Sequence, residues 1–197
     1  MKSALLALVA VFISSTVFAQ TACVVPGRGY FRIHVDSGGL FGVFAHDHLV
    51  EARKIEGCAA IQTQDLARSS IGLDFSVAEL RVLDPKESAE DRAKVQKNME
   101  TEVLRVSEYP HVKFESTAVE KTDAASRLRV RGNLTIRGRT QPVVIPLVLT
   151  RMDDGTYRAS GEYRFKQTLF GIEPIQLLGG TIKVKDELRV EFELFLR

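Results

Sequence analysis

Two stretches of this chain decide its fold class. Residues 109–117 read Tyr-Pro-His-Val-Lys-Phe-Glu-Ser-Thr, and residues 131–149 read Arg-Gly-Asn-Leu-Thr-Ile-Arg-Gly-Arg-Thr-Gln-Pro-Val-Val-Ile-Pro-Leu-Val-Leu. Apolar and polar residues alternate along both, which is typical of strands with one buried face. The pattern predicts three antiparallel strands joined by short turns, with one face in a core and the other in water.

The same period of two recurs through most of the chain and predicts a mainly β protein. The apolar residues that alternate include Phe31, Ile33, Val35; Ile71, Leu73, Phe75, Val77; Val143, Ile145, Leu147, Leu149; Tyr157, Ala159, Gly161, Tyr163, Phe165; and Val190, Phe192, Leu194, Leu196. About eight antiparallel strands favour a closed barrel, because closure removes exposed strand edges. The period alone does not distinguish a barrel from a sandwich.

One segment, Glu87 to Glu102, departs from the strand pattern. It is rich in Ala, Glu, Lys and Gln, which favour helix. Ser88 suits the N-cap. Val95, Met99 and Val103 are spaced as one apolar stripe. These features predict a single helix inserted between strands, covering an end or a side of the barrel.

The N-terminus has the features of a secretory signal. Lys2 precedes an apolar run from Leu5 to Ile13, and Val17-Phe18-Ala19 places a small residue at a cleavage position. We therefore expect a signal peptide over residues 1–19, a single domain over residues 20–197, and a periplasmic location. Lipidation of Cys23 is the alternative, but Gln20 replaces the Leu usual three residues before such a cysteine.

Composition excludes several classes of function. The formal net charge of the 197-residue chain is +2, with both signs interspersed, so no basic block suggests nucleic acid. No second apolar segment suggests a membrane span.

The two cysteines, Cys23 and Cys58, are expected to pair in an oxidising compartment. Two unrelated thiols remain the alternative.

Several short motifs, taken together, give the chain a family resemblance. They are Ile55-Glu56-Gly57; Glu108-Tyr109-Pro110 with Phe114 and Ser116; Gly132, Leu134, Thr135, Gly138, Thr140 and Pro142; and Phe165 with Phe170-Gly171-Ile172. In their order and spacing the chain resembles the YceI-like lipid- or polyisoprenoid-binding proteins of the bacterial periplasm, from about Tyr30 to the C-terminus. The resemblance implies an extended lipocalin-like antiparallel barrel whose apolar tunnel holds an isoprenoid or another fatty amphiphile.

The resemblance also implies which side chains line the tunnel. Without it, the phenylalanines would be interpreted as a solid core, which is what most such residues form. With it, the expected tunnel residues are Phe41, Phe44, Leu73, Phe75, Phe114, Leu134, Phe165, Phe170 and Ile172. No cofactor is required beyond the bound isoprenoid or lipid, and an exposed apolar mouth would be compatible with a homodimer.

The histidine pair His46 and His48 is the main candidate for polar chemistry. Strand spacing points both imidazoles the same way, and the family pattern commonly has a single histidine here. Three interpretations stay open: contact with a ligand head group at the tunnel mouth, a structural role, or a metal site completed by His111. The metal interpretation carries with it the alternative of a metal-dependent enzyme.

Other catalytic chemistry finds little support in the sequence. There is no Gly-x-Ser-x-Gly elbow. A Ser-His-Asp set can be selected from almost any chain, so it carries no weight. The sequence therefore predicts a binding protein rather than an enzyme.

Overall fold

The computed structural model describes residues 19–38, 47–124, 126–177 and 182–197. Strands make up most of it, as the alternation predicts. They are β1 (Gln20–Val35), β2 (Ser37–Gly38), β3 (His48–Ala52), β4 (Ile55–Ile61), β5 (Ser70–Ser76), β6 (Leu80–Val82), β7 (His111–Lys121), β8 (Arg127–Ile136), β9 (Arg139–Arg151), β10 (Tyr157–Lys166), β11 (Gln176–Leu177), β12 (Ile182–Val184) and β13 (Glu187–Leu196). The α-helix α1 spans Ala89–Asn98.

The main sheet closes on itself, which confirms the predicted barrel and excludes a sandwich. Its strands follow the order β13-β10-β9-β8-β7-β5-β4-β1-β3-β6, and β1 pairs again with β13. Because β3 leads into β4 and β5 leads into β6, the barrel has eight strand positions. All the pairings are antiparallel.

Strand β1 is longer than the alternating segment from Phe31 to Val35, and it pairs with three other strands. Its first residues, Gln20–Cys23, pair with β4, whereas Arg32–Val35 pair with β3. Tyr30 to His34 pair with β13 throughout. The register against β13 shifts between Val24 and Gly29, so the strand bends as it crosses from one end of the barrel to the other.

The hairpin between β8 and β9 is tight. Arg137 and Gly138 have φ angles of 48° and 68°, and they separate the paired residues Ile136 and Arg139. Two central residues with positive φ form the turn that best fits the twist of antiparallel strands. The turn fixes which residues of both strands face inward.

Gly132 makes room for an aromatic ring inside the barrel. A Cβ atom here would lie 2.5 Å from the Glu115 carbonyl oxygen and 2.5 Å from the ring of Phe114. The register of β7 against β8 also shifts between Ser116 and Ala118. A glycine inside a strand pattern predicts a bulge or a close backbone approach. The close approach is at Gly132 itself, whereas the extra residue of the bulge, Thr117, lies on β7 between the partners of Gly132 and Arg131.

The inserted helix is shorter than predicted. Ser88 caps it by accepting a hydrogen bond from the Asp91 backbone amide at 3.0 Å. After Asn98 the chain continues through Met99–Val103 as a π-helical turn. The Gln96 amide holds the helix against β6, because it accepts from the Val82 amide at 2.9 Å and donates to the Leu80 carbonyl at 2.8 Å. These bonds cover part of the exposed edge of β6.

The two ends of the barrel are built differently. One end is a dense cluster that contains Ala22, Ile61, Tyr157 and Leu196, each at most 3% exposed. The other end carries the small sheet β11-β12-β2. Strand β12 lies there and pairs with β2 and β11 rather than with the barrel.

Candidate ligand-binding site

The barrel encloses a cavity of about 600 Å³ with an almost wholly apolar wall. Alternate residues of the strands point into it because period-two alternation puts one set of side chains on the inner face. The wall includes Phe31, Ile33, Val50, Ile71, Leu73, Phe75, Val112, Phe114, Leu134, Ile145, Leu147, Tyr163, Phe165, Val190 and Phe192. The interior is therefore hollow, not the solid core that the phenylalanines alone would predict.

Most of the expected tunnel residues face this cavity. Leu73, Phe75, Phe114, Leu134, Phe165 and Ile172 all line it. Phe170 is not among the lining residues. It is 1% exposed and meets the edge of the Phe165 ring at a centroid distance of 5.4 Å, so it supports the wall from behind. Phe41 and Phe44 lie outside the described residues.

The helical segment forms part of the cavity wall. Val95, Met99 and Val103, the apolar stripe predicted from sequence, all line the cavity. Leu104 continues the stripe beyond the π-helical turn. None of the residues of α1 is fully buried, because its apolar stripe faces the cavity rather than a packed core.

Aromatic rings are concentrated on one part of the wall. Phe31 packs against Phe75 at 4.7 Å between centroids and stacks on Phe192 at 6.1 Å. Tyr163 stacks on Phe165 at 6.0 Å. Burial raises the pKa of the Tyr163 hydroxyl. Sequence reasoning missed Phe31 and Tyr163 as tunnel residues, although both lie on the apolar phase of their strands.

Polar lining residues gather beside the small sheet, and among them the ring of His48 is held by a buried carboxylate. Its Nδ1 lies 2.6 Å from Oδ2 of Asp84, whose other oxygen accepts from the Leu49 amide at 2.7 Å. Asp84 is 5% exposed. An ionised carboxylate only accepts hydrogen bonds, so opposite an ionised Asp84 the Nδ1 atom of His48 is the donor. His46 lies outside the described residues.

Ser37, Glu87, Gln167 and Lys183 complete this polar rim. Gln167 is held in place because its side-chain amide donates to the Lys185 carbonyl at 2.9 Å. Ser37 donates from both its backbone amide and its hydroxyl to Oδ1 of Asp47, at 2.8 and 3.0 Å. The hydrogen bond from the Ser37 backbone amide is the largest of several causes that lower the pKa of the Asp47 carboxyl. The rim thus presents donors, acceptors and both signs of charge around an apolar cavity.

Of the three histidines proposed for a metal, the structure describes His48 and His111, and each is paired with a different aspartate. His111 is half exposed, and its Nδ1 lies 2.6 Å from Oδ1 of Asp74. It does not line the cavity, whereas His48 does. Within residues 19–38, 47–124, 126–177 and 182–197, no group of three His, Cys, Asp or Glu side chains is arranged to hold a metal ion.

Cys23 and Cys58 form a disulfide at the packed end of the barrel, with an S–S distance of 2.06 Å. The two residues lie directly opposite each other on β1 and β4. Cys23 is also joined to the last residue, since its backbone amide donates to the Arg197 carbonyl at 2.7 Å. The covalent link and the hydrogen bonds tie β1, β4 and β13 together where the cavity ends.

In the part of the chain that the structure describes, no helix combines the length and the apolar character needed to cross a bilayer. No match was found among curated proteins.

Solved structures resemble the fold over most of the chain. Burkholderia cenocepacia BcnA superposes with a TM-score of 0.70 at 17% identity, covering 87% of this chain and 98% of that one. A polyisoprenoid binding domain from Saccharophagus degradans, implicated in plant cell wall breakdown, gives 0.61 at 11% identity, covering 91% and 98%. The Campylobacter jejuni YCEI protein gives 0.57 at 13% identity, covering 74% and 82%. At these identities the likeness establishes the fold alone.

Sequence itself establishes the family. The model of the YceI-like domain matches residues 33–196. The match includes the strands and the helix that line the cavity, from Ile33 to Leu196. The chain therefore belongs to the YceI-like family.

Proposed function

We propose that this protein binds a lipid-like amphiphile, such as an isoprenoid, and carries or sequesters it within the barrel. The observation that supports this most directly is the apolar cavity of about 600 Å³ with polar groups at one end. That volume lies within the range typical of small-molecule sites. The relative described as a polyisoprenoid binding domain adds support from the same fold.

Burial of the tail would supply most of the affinity. Each methylene moved from water into an apolar wall contributes about 0.8 kcal/mol. Ten such groups would contribute about 8 kcal/mol, from which the loss of ligand freedom on binding must be subtracted. A wall without polar groups does not select one tail from another except by length and shape. Selectivity would then depend on the rim.

The head group would lie at the rim, near Nε2 of His48. Asp84 fixes the ring orientation through Nδ1, so this contact needs no rearrangement when the ligand arrives. Lys183 and Glu87 offer an ammonium group and a carboxylate nearby. No reaction is required of these residues: we propose a binding protein rather than an enzyme, acting in the periplasm after removal of a signal peptide.

Extraction and thermal melting test the proposal together. Organic extraction of the purified protein, followed by mass spectrometry, should release an apolar compound. Adding an isoprenoid alcohol to extracted protein should raise its melting temperature. No extracted compound and no thermal shift with isoprenoids or fatty acids would reject the proposal.

A matched pair of variants connects binding to the cavity. Val112→Phe adds a ring on the cavity side of β7, whereas Lys113→Phe adds one to the neighbouring outward position. We expect the first to abolish the thermal shift and the second to keep it. Equal shifts in both variants would mean that the ligand binds outside the barrel.

A further inference from the structure

The hairpin formed by β8 and β9 has an unusual charge. Residues 127–151 contain six arginines, namely Arg127, Arg129, Arg131, Arg137, Arg139 and Arg151, and no Asp, Glu or Lys. The interspersed charge of the whole chain hides this local excess. Its position in the barrel wall means that the excess is displayed on one face.

The strand alternation sends these arginines outward. Arg127, Arg129 and Arg131 are exposed, while the residues between them, Leu128 and Val130, are buried. Only Arg131 of these three has a carboxylate partner, Glu120, among the described residues. Arg129 lowers the pKa of the same Glu120 at longer range. The stripe therefore keeps a strong positive charge.

Strand β9 places apolar residues beside the arginines. Pro142, Val144 and Pro146 are exposed, and they pair across the hairpin with Asn133, Arg131 and Arg129. Leu169, which is 51% exposed, is adjacent because its carbonyl accepts from the Gln141 side chain at 3.0 Å. We name this surface the arginine face; it comprises Arg127, Arg129, Arg131, Arg139, Pro142, Val144, Pro146 and Leu169.

The arginines of β10, the strand next to β9, and of β1, on a more distant part of the wall, are placed differently. On β10, Arg158 pairs with Glu193, and Arg164 pairs with Glu162 and Glu187. On β1, Arg32 pairs with Glu51. Cations there are neutralised by neighbouring carboxylates. The unmatched charge of the arginine face calls for an external anionic partner.

We propose that the arginine face docks on the surface of a bilayer that contains anionic phospholipids. Guanidinium groups bind phosphate oxygens in a two-pronged geometry, and exposed apolar side chains enter the boundary between head groups and acyl chains. The chemistry of the face, cationic and apolar side by side, matches both layers of such a surface.

The position of this face adds a reason for docking. The inner side of β9, at Ile145 and Leu147, lines the cavity. Pairing of β9 with β10 is confined to Val148–Arg151 against Tyr157–Ser160, and Pro142 and Pro146 have no amide hydrogen to extend it. Docking would thus bring a part of the barrel wall where two strands pair over only four residues next to lipid.

Vesicle flotation with the full protein tests the proposal. We expect binding to vesicles of phosphatidylcholine with phosphatidylglycerol, weakening as salt is raised, and no binding to phosphatidylcholine alone. Arg127→Gln with Arg129→Gln should weaken binding by about five-fold per arginine. The control, Arg53→Gln with Lys54→Gln, removes two cations from the bend between β3 and β4 and should leave binding unchanged.

A second pair of changes tests the apolar part. Val144→Thr with Leu169→Gln keeps the charge and removes apolar groups, so vesicle binding should fall while the melting temperature stays close to that of the wild type. Absence of vesicle binding, or an equal loss in the control pair, would overturn the proposal. Binding to single-stranded DNA without binding to anionic vesicles would also overturn it. Ligand-induced thermal shifts should be the same in all these variants, so this test stands apart from that of lipid carriage.

Discussion

The packed end and the polar rim of the barrel are formed by the same strands, but one end is densely filled and the other borders a cavity. At the packed end, Ala22 and Leu196 are at most 1% exposed, and a disulfide crosses from β1 to β4. At the rim, His48, Lys183 and Glu87 border an apolar cavity of about 600 Å³. The densely packed cluster and the disulfide lie at one end, and the polar groups that border the cavity lie at the other.

This division explains how a barrel remains folded while hollow. A cavity forfeits the contacts that a filled core would supply. The packed cluster and the disulfide compensate at a distance from the site. Changes at the packed end should therefore alter stability, and changes at the rim should alter binding. Four predictions test this separation, in order of decreasing effect.

Removal of the disulfide should have the largest effect. The bonded cysteines are 35 residues apart, and a cross-link of that span stabilises by about 3–4 kcal/mol through the unfolded chain. Cys23→Ser with Cys58→Ser should lower the free energy of unfolding in urea by that amount. A reducing agent should reproduce the loss in the wild type and leave the variant unchanged. A loss below about 1 kcal/mol would mean that the backbone hydrogen bonds of Cys23 with Arg197 hold this end of the barrel together without the disulfide.

One substitution made at both ends should reveal where the interior is filled. Ile61→Ala at the packed end should cost about 3 kcal/mol, because a buried isoleucine that does not border the cavity leaves a void when truncated. Ile33→Ala on the cavity wall should cost about 1 kcal/mol, since Ile33 already borders empty space. Urea unfolding measures both. Equal costs would show that the rim end is packed as tightly as the other.

Asp84 should separate stability from binding at the rim. Asp84→Ala leaves the Leu49 amide without its acceptor and should cost about 2 kcal/mol. Asp84→Asn keeps an acceptor for that amide, so stability should recover. The asparagine NH₂ group would face Nδ1 of His48 and favour hydrogen on Nε2, so ligand affinity should still change. Urea unfolding measures the stability of both variants, and ligand titration measures their affinity. Wild-type affinity in both variants would contradict the proposed role of Asp84 in orienting His48.

Acid should produce the smallest effect, through Asp47. The Ser37 amide, the largest cause, holds the pKa of Asp47 below its unfolded value. The stabilisation is therefore complete above about pH 4, the usual unfolded pKa of Asp, and is lost as pH falls through the folded value. Asp47→Asn should be slightly less stable at neutral pH and should converge with the wild type in acid. A constant difference across pH would refute the assignment.

The sequence predicts the strands well because alternation is a local property. Ser88 and the stripe of Val95, Met99 and Val103 likewise place the helix correctly. Closure of the barrel, by contrast, depends on pairing between β1 and β13, which no local pattern encodes. The number of strands favours closure, and the family resemblance adds the lipocalin-like form of the barrel.

The polar site was only partly accessible from sequence. His48 was identified, but its partner Asp84 precedes a proline and reads as a turn residue. The bond between them joins residues 36 positions apart. Phe170 was assigned to the tunnel wall because it is aromatic; it lies in the 3₁₀ turn Gln167–Phe170, where strand alternation no longer tells inside from outside.

The bonds between Cys23 and Arg197 have a consequence for the order of folding. Each residue donates its backbone amide to the carbonyl of the other, at 2.7 and 2.8 Å. The first strand of the barrel can complete its pairing only with the last one, and the chain between them makes up nearly the whole domain. Such distant partners make folding slow. The barrel can therefore close only once β13 has been synthesised.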